Sequence, residues 1–274
     1  MAPLVGSGLW FGSSSNGRGI FALGDAAVTT NIYTYSSNGV TTGTSLAATL
    51  YKGSAAGNST LGIFALGNTT ATNIYTYSSN GVTTGTNLTA TLYAGAATGN
   101  STLGIFALGD TAVTTNIYTY SSNGVVTGTN LTGGLNGGAA TGNSTLVIFA
   151  LGGTATNIYT YSSNGAATGT SLVGSLGSGA ATGNSTLGIF ALGGPSVTTN
   201  IYTYSSNGVT TGTSLAAASV WGAAAGNSTL GIFALGNTTA TNIYTYSSNG
   251  VTTGTNLTAI LYLGAAASST PGGF

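Results

Sequence analysis

Residues 116–124 read Asn-Ile-Tyr-Thr-Tyr-Ser-Ser-Asn-Gly, and this stretch decides the fold because it recurs along the whole chain. The copies begin at Asn31, Asn73, Asn116, Asn157, Asn200 and Asn242. A second string, Ile-Phe-Ala-Leu-Gly, precedes every copy, and Gly-Asn-Ser-Thr-Leu precedes five of them. Self-similarity at a period of about 20 to 50 residues is typical of repeat architectures. The 274 residues therefore hold six copies of one unit.

Each unit is predicted to form four short strands. In the copy around residue 100 we expect them at 92–98, 103–108, 116–121 and 125–131. The sequences Gly99-Asn100-Ser101 and Asn123-Gly124 are typical of hairpin turns, and no stretch has a helical apolar period. Four antiparallel strands in about 40 to 50 residues predict an all-β, six-bladed β-propeller that forms a single domain over residues 1–274. A linear β-solenoid is the alternative, although its coils are normally shorter.

The unit resembles a kelch repeat. Its small-residue strand at 138–140, its apolar strand ending in Gly152-Gly153 and its tyrosine strand at 158–161 follow the order of that family. The full glycine pair recurs only at 193–194, and the tryptophan common after the tyrosine strand is absent. The Tyr-Thr-Tyr-Ser-Ser sequence is similar to segments of kelch-like arrays in bacterial and bacteriophage proteins of unassigned role. The resemblance implies four-stranded kelch-like blades.

The two ends of the chain both carry a copy of the first strand. Residues 9–12 align with 50–53, and residues 260–267 repeat the same strand again. Six blades need six first strands, so we expect one spare copy, the C-terminal one, within a partial seventh repeat at 257–274. A spare strand would pack as an extra layer, stay disordered or pair with the next molecule by β-augmentation.

The charge content excludes several classes of partner. The only charged side chains are Arg18, Lys52, Asp25 and Asp110, whereas soluble domains carry about a quarter charged residues. Two basic residues cannot supply the positive stripe that nucleic acid requires, so we expect no nucleic acid partner. The sequence contains no apolar run of about 18 residues, so we expect no membrane insertion. The N-terminus lacks the pattern of a signal peptide, so either another route is used or a leader has been removed.

Catalysis is not expected. The sequence has no histidine, cysteine or glutamate, so it lacks a general base and the common metal ligands. Galactose-oxidase-type kelch enzymes need His and Cys for their copper site, and glycosidases need two carboxylates about 5 to 10 Å apart. Asp25 and Asp110 occupy equivalent positions in blades one and three, so another blade lies between them. We therefore interpret them as turn residues rather than as a catalytic pair. We therefore predict no cofactor, and we interpret the Asn-X-Ser/Thr sequences, such as Asn58 and Asn100, as turns rather than glycosylation sites.

Positions that differ between copies are the candidate binding residues. The clearest is at the start of the first strand, occupied in chain order by Trp10, Tyr51, Tyr93, Asn136, Gly177, Trp221 and Tyr262. First strands line the central channel of a propeller, so these side chains are predicted to gather at one channel mouth. Aromatic rings beside an amide suit stacking on sugars or packing of a partner. Drift at a tolerant rim position is the alternative.

Two functions fit the sequence. An uncharged surface tolerates dense packing, so the first hypothesis is a structural protein that forms homo-oligomers or joins other assembly proteins. We expect such a structural protein to be a component of a bacteriophage virion, on a tail or capsid surface. The second is a lectin-like propeller that binds a glycan or receptor with the aromatic residues of the mouth.

Overall fold

Every regular element in the described part of the chain is a strand. The computed structural model describes residues 17–24 and 27–269, and that part contains no helix. Glycines and Asn-Gly dipeptides end the strands, and β-branched and aromatic residues fill them, as pleated surfaces favour. The strands are β1 (Arg18–Ala22), β2 (Thr30–Thr34), β3 (Gly39–Gly43), β4 (Ser54–Gly57), β5 (Leu61–Ala65), β6 (Thr72–Thr76), β7 (Gly81–Thr84), β8 (Ala96–Gly99), β9 (Leu103–Ala107), β10 (Thr115–Thr119), β11 (Gly124–Thr127), β12 (Ala139–Gly142), β13 (Leu146–Ala150), β14 (Thr156–Thr160), β15 (Gly165–Thr168), β16 (Ala180–Gly183), β17 (Leu187–Ala191), β18 (Thr199–Thr203), β19 (Gly208–Gly212), β20 (Ala223–Gly226), β21 (Leu230–Ala234), β22 (Thr241–Thr245), β23 (Gly250–Thr253) and β24 (Ala265–Ser268).

These strands form six antiparallel four-stranded sheets, which are the blades of a β-propeller. Blade 1 has the order β24-β1-β2-β3 from the channel outwards, and blades 2 to 6 take β4–β7, β8–β11, β12–β15, β16–β19 and β20–β23 in turn. The innermost strands of neighbouring blades contact each other all the way round, including β20 with β24 and β24 with β4. The prediction of a six-bladed β-propeller is confirmed.

The predicted role of the C-terminal strand is wrong. β24 is not spare, because it pairs with β1 in the register Ala265↔Ala22 to Ser268↔Gly19 and so completes blade 1. Blade 1 draws its three outer strands from the start of the described chain and its inner strand from the end. That pairing removes the exposed inner edge of β1 and closes the ring. The N-terminal copy at residues 9–12 lies outside the described residues.

The first and fourth strands of each unit are shorter than predicted. In blade 3 the inner strand begins only at Ala96, because Ala94 adopts a left-handed φ of 49° that interrupts extended pairing. The outer strand ends at Thr127, after which the chain turns inward and Leu131 is buried. The two central strands begin within one residue of their predicted first residues.

The core lies between the blades. The isoleucine and alanine of one blade pack against the phenylalanine and both tyrosines of the next, as Ile63 and Ala65 do against Phe106, Tyr118 and Tyr120. Within blade 3 the rings of Phe106 and Tyr118 lie 6.4 Å apart, a separation at which tilted aromatic pairs attract each other. The repeated Ile-Phe-Ala and Tyr-Thr-Tyr strings therefore supply the two faces of each interface.

Asparagines of the repeat join neighbouring blades. Oδ1 of Asn116 accepts a hydrogen bond from the backbone N–H of Thr89 at 2.8 Å, and Oδ1 of Asn123 accepts one from Thr86 at 2.9 Å. Equivalent bonds to the first asparagine occur at all six interfaces. A third asparagine, Asn100, caps its own hairpin by accepting from Leu103 N–H at 2.8 Å, which confirms the predicted turn. The hydrogen bonds at Asn116 and Asn123 fix the spacing of neighbouring blades.

Candidate ligand site at the channel mouth

A ring of backbone hydrogen bonds runs round one mouth of the channel. Each member donates its N–H to the carbonyl oxygen of the equivalent residue in the preceding blade, over distances of 2.8 to 3.2 Å. The last bond, from Lys52 N–H to the Leu263 carbonyl, closes the circle. We call this set the mouth ring; its members are Lys52, Ala94, Gly137, Ser178, Trp221 and Leu263. Because all six blades contribute, the mouth is held in one arrangement.

Every member of the mouth ring has a left-handed backbone, with φ between 49° and 61°. Only Gly137 adopts that conformation without steric cost. A left-handed L-residue costs about 1–2 kcal/mol, and such strain clusters at functional sites. Lys52 and Trp221 are therefore large side chains in positions where glycine fits best.

The ammonium group of Lys52 is surrounded by aromatic rings. Its Nζ lies 4.2 Å from the ring centre of Tyr93, 5.3 Å from that of Trp221 and 5.7 Å from that of Tyr51. It also donates a hydrogen bond to Tyr93 Oη. That hydrogen bond is the main cause that raises the pKa of Lys52, and it outweighs a small opposing effect of burial. The group is therefore a cation at neutral pH within cation–π distance of three rings.

The predicted site residues do not all gather at one place. Tyr51, Tyr93 and Trp221 meet at Lys52, and Tyr262 stands in the blade between Trp221 and Tyr51. We call these four residues, which come from blades 6, 1, 2 and 3 in succession, the aromatic arc. Blades 4 and 5 contribute Asn136 and Gly177 instead, and both are exposed. Trp10 lies outside the described residues.

The alignment of Trp221 with Tyr51 is wrong by one residue. Trp221 directly precedes Gly222 and belongs to the mouth ring, as Lys52 does before Gly53, so Val220 is the residue equivalent to Tyr51. The spacing from the preceding leucine, Leu215 or Leu46, is the same in both units and carries this register. That spacing, rather than the shared aromatic character of Trp221 and Tyr51, identifies the equivalent residue.

Lys52 is the site residue that the sequence comparison missed. From the sequence it stood out only as one of the four charged side chains, yet three rings of the aromatic arc surround its ammonium group. A signal was available, because Lys52 is the only lysine in the chain. A unique charged residue in a nearly uncharged repeat array marks a position with a role of its own.

Below the mouth ring the channel has walls of small side chains. Its lining consists of alanine, glycine, threonine and serine, and it opens at the far end beside Thr141, Thr182 and Ser268. Behind that wall the second tyrosine of each pair is buried, and desolvation raises the pKa of Tyr77, Tyr120 and Tyr161 well above that of a free phenol. These hydroxyls stay neutral, so the ionisable chemistry of the channel is concentrated at Lys52.

The described residues include no group of three or more His, Cys, Asp or Glu side chains that could hold a metal ion. Asp110 is exposed on a loop, and Asp25 lies outside the residues that the structure describes. No helix in the described part of the chain is long and apolar enough to cross a membrane.

The mouth is thus a braced, concave opening lined by the mouth ring and the glycines that follow it, with Lys52 and Trp221 on one side and Gly137 and Ser178 on the other. The rings of Tyr51 and Tyr93 lie beside Lys52, outside this lining. No protein-family model matches the chain, and no curated protein matches its sequence significantly.

Proposed function

We propose that this chain is a non-catalytic structural protein that assembles with copies of itself through the rim of the propeller. Its repeats are of kelch type, and the assembly is the surface of a bacteriophage tail or capsid, or a comparable large extracellular particle. Other assembly proteins join it through the same rim.

The observation that carries the proposal is the composition of the outer strands. β3, β7, β11, β15, β19 and β23 each pair on one side only, so each presents an unpaired edge. Soluble proteins protect such edges with lysine, proline or bulges, because a free edge is a template for another strand. Here the outer strands contain neither charge nor proline, and Val126 in β11 is 58% exposed. Six similar uncharged edges therefore favour strand-to-strand contact between copies.

The test places a charge on each edge. Lysine replaces the exposed residue opposite the isoleucine of the third strand in every blade, that is Thr41, Thr83, Val126, Ala167, Thr210 and Thr252. The matched control carries six lysines on exposed turn serines, at Ser37, Ser79, Ser122, Ser163, Ser206 and Ser248. Light scattering and negative-stain imaging should show concentration-dependent assembly of the wild type and the control, and monomers of the edge variant. A wild-type chain that remains monomeric at every concentration contradicts the proposal.

A second function, glycan or receptor binding at the mouth, is favoured by the aromatic arc. Three rings that converge on one cation offer flat apolar faces beside hydrogen-bond donors, the arrangement that suits a sugar ring. A glycan array separates the two functions. A monomer that binds glycans supports the second function alone, whereas particles that bind no glycan remove it.

A further inference from the structure

We infer that the channel mouth binds an acidic sugar at the end of a glycan, and that Lys52 selects the carboxylate-bearing sugar over its neutral counterpart. The inference rests on the second function proposed above and names its ligand class.

The ammonium of Lys52 has donors to offer a carboxylate. A lysine has three N–H donors, and one is given to Tyr93 Oη. The described residues provide no further hydrogen-bond acceptor for Nζ. A carboxylate that reaches the mouth therefore meets an ammonium that can donate charge-assisted hydrogen bonds to it, which are about twice as strong as neutral ones.

The aromatic arc supplies the rest of a sugar site. Tyr51, Tyr93 and Trp221 are each partly exposed, so their rings remain available for stacking on the apolar face of a pyranose. The phenol groups of Tyr51 and Tyr93 donate and accept hydrogen bonds, as sugar hydroxyls require, and the indole N–H of Trp221 is a further donor. Because the mouth ring holds the backbone of Lys52 and Trp221, the backbone of the site loses little conformational entropy on binding.

The charge distribution favours a singly charged ligand. Arg18 lies at the opposite end of the channel, where its backbone N–H donates a hydrogen bond to Ser269 Oγ at 2.8 Å. Lys52 is therefore the only cation on the mouth face among the described residues. Nucleic acid and anionic membranes bind through several positive charges at once, whereas one acidic sugar needs one.

The strain at the mouth ring supports a selected role for Lys52. The equivalent position in blade 4 is Gly137, which fits the left-handed backbone without cost. Lys52 and Trp221 keep that conformation although they are large, and strain of this kind is retained where a side chain has a function. Lys52 and Trp221 are two of the five non-glycine members of the mouth ring, and their side chains meet at the site.

The test compares matched ligands that differ only in a carboxylate. Methyl glucuronide against methyl glucoside, and methyl galacturonide against methyl galactoside, are titrated into the full chain by calorimetry and saturation-transfer NMR. We expect the acidic member of at least one pair to bind about tenfold more tightly, with a preference that weakens as salt is added. Lys52→Met should reduce that preference to none, and Lys52→Arg should retain it.

Two controls separate charge from position. The double variant Lys52→Ala/Ser178→Lys keeps the net charge but moves the ammonium across the mouth, away from Tyr51 and Tyr93, and should lose the preference. Asp110→Asn introduces the residue that the chain has at the equivalent positions, Asn68 and Asn237. This variant should retain or increase the preference for the acidic sugar. Thermal melts verify that each variant is folded.

Each outcome decides one claim. Equal binding of acidic and neutral sugars by the wild type overturns the inference but leaves a glycan-binding function standing. No binding of any sugar removes both. A preference that survives in Lys52→Met shows that another residue selects the acid and overturns the role of Lys52.

Discussion

The backbone N–H of Thr255 donates a hydrogen bond to Oδ1 of Asn38 at 2.9 Å, and this bond joins the last blade of the ring to the first. Asn38 also accepts a bond from Tyr33 Oη in its own blade. The same pair of bonds occurs at Asn80, where it joins blades 1 and 2, which are continuous in sequence. The closing interface is therefore built in the same way as an internal one.

We predict that Asn38→Ala and Asn80→Ala destabilise the protein equally. Each removes two hydrogen bonds and places alanine at a left-handed φ near 50°, so each should lower the free energy of unfolding by about 2–3 kcal/mol. Chemical denaturation of the two variants measures both values. A much smaller loss for Asn38→Ala would mean that the closing interface is frayed in solution.

Ser219→Leu should stabilise the protein. Five of six blades bury a leucine at this position, among them Leu50 and Leu261, which are both fully buried. Ser219 is equally buried, and its Oγ has no hydrogen-bond partner within the described residues. Leucine would bury more apolar surface and remove an unsatisfied hydroxyl, a gain of about 1–3 kcal/mol.

The reverse substitution, Leu50→Ser, is the control for that prediction and should cost at least as much as Ser219→Leu gains. Denaturant melts of both variants measure the two differences. If Ser219→Leu proves destabilising, the pocket at blade 6 is smaller than at the other blades.

Ala56→Thr should relieve an unsatisfied hydroxyl at the interface of blades 2 and 3. Tyr120 Oη is buried there without a partner among the described residues. At an equivalent interface Thr141 Oγ1 lies 3.0 Å from Tyr204 Oη, so a threonine at position 56 places a hydroxyl at the same point. We expect a gain of about 1 kcal/mol in the free energy of unfolding.

A double-mutant cycle isolates this hydrogen bond. In a Tyr120→Phe background the gain from Ala56→Thr should disappear, because the hydroxyl that it satisfies has gone. An equal gain in both backgrounds would show that the threonine acts through packing instead.

Stability should be flat around neutral pH and fall in alkali. The chain has no histidine or glutamate, so few groups change charge between about pH 5 and 9. Burial raises the pKa of Tyr77, Tyr120 and Tyr161 above the ordinary value of 10.0. Above about pH 10 the unfolded state releases phenolic protons that the folded state keeps, so it binds fewer protons and the free energy of unfolding drops.

Melting temperatures across this pH range, with tyrosinate absorbance at each step, measure the effect. Tyrosinate should appear together with unfolding. Titration of all fifteen tyrosines near pH 10 without loss of structure would contradict the burial of these phenols.

Much of the fold could be predicted because each repeat encodes its own blade. The asparagine-glycine turn at Asn123-Gly124 and the alternation around Tyr118 are local signals, and local signals set the strands and their number. The pairing of Ala265 with Ala22 is not local. The last inner strand is nearly identical to the others, and only ring closure decides which blade it completes.

The site was harder to predict for a similar reason. Tyr51, Tyr93 and Trp221 belong to three blades, and they meet at Lys52 because the ring curves back on itself. Variation between copies indicated the end of the channel at which Tyr51, Tyr93 and Trp221 lie. It could not show that blades 4 and 5 leave the opposite side open, since that depends on the order of the blades around the axis.

The closure of the ring by its C-terminal strand is the central claim, and a disulfide tests it most directly. The chain contains no cysteine, so Ala22→Cys/Ala265→Cys introduces one possible crosslink, at a cross-strand pair whose spacing suits a disulfide. We predict that mild oxidation gives an intramolecular disulfide in nearly every molecule, seen as a compact monomer on a non-reducing gel. Crosslinked dimers and higher species would show that the strand is donated to a neighbouring molecule, and free thiols would show that it does not pair with β1.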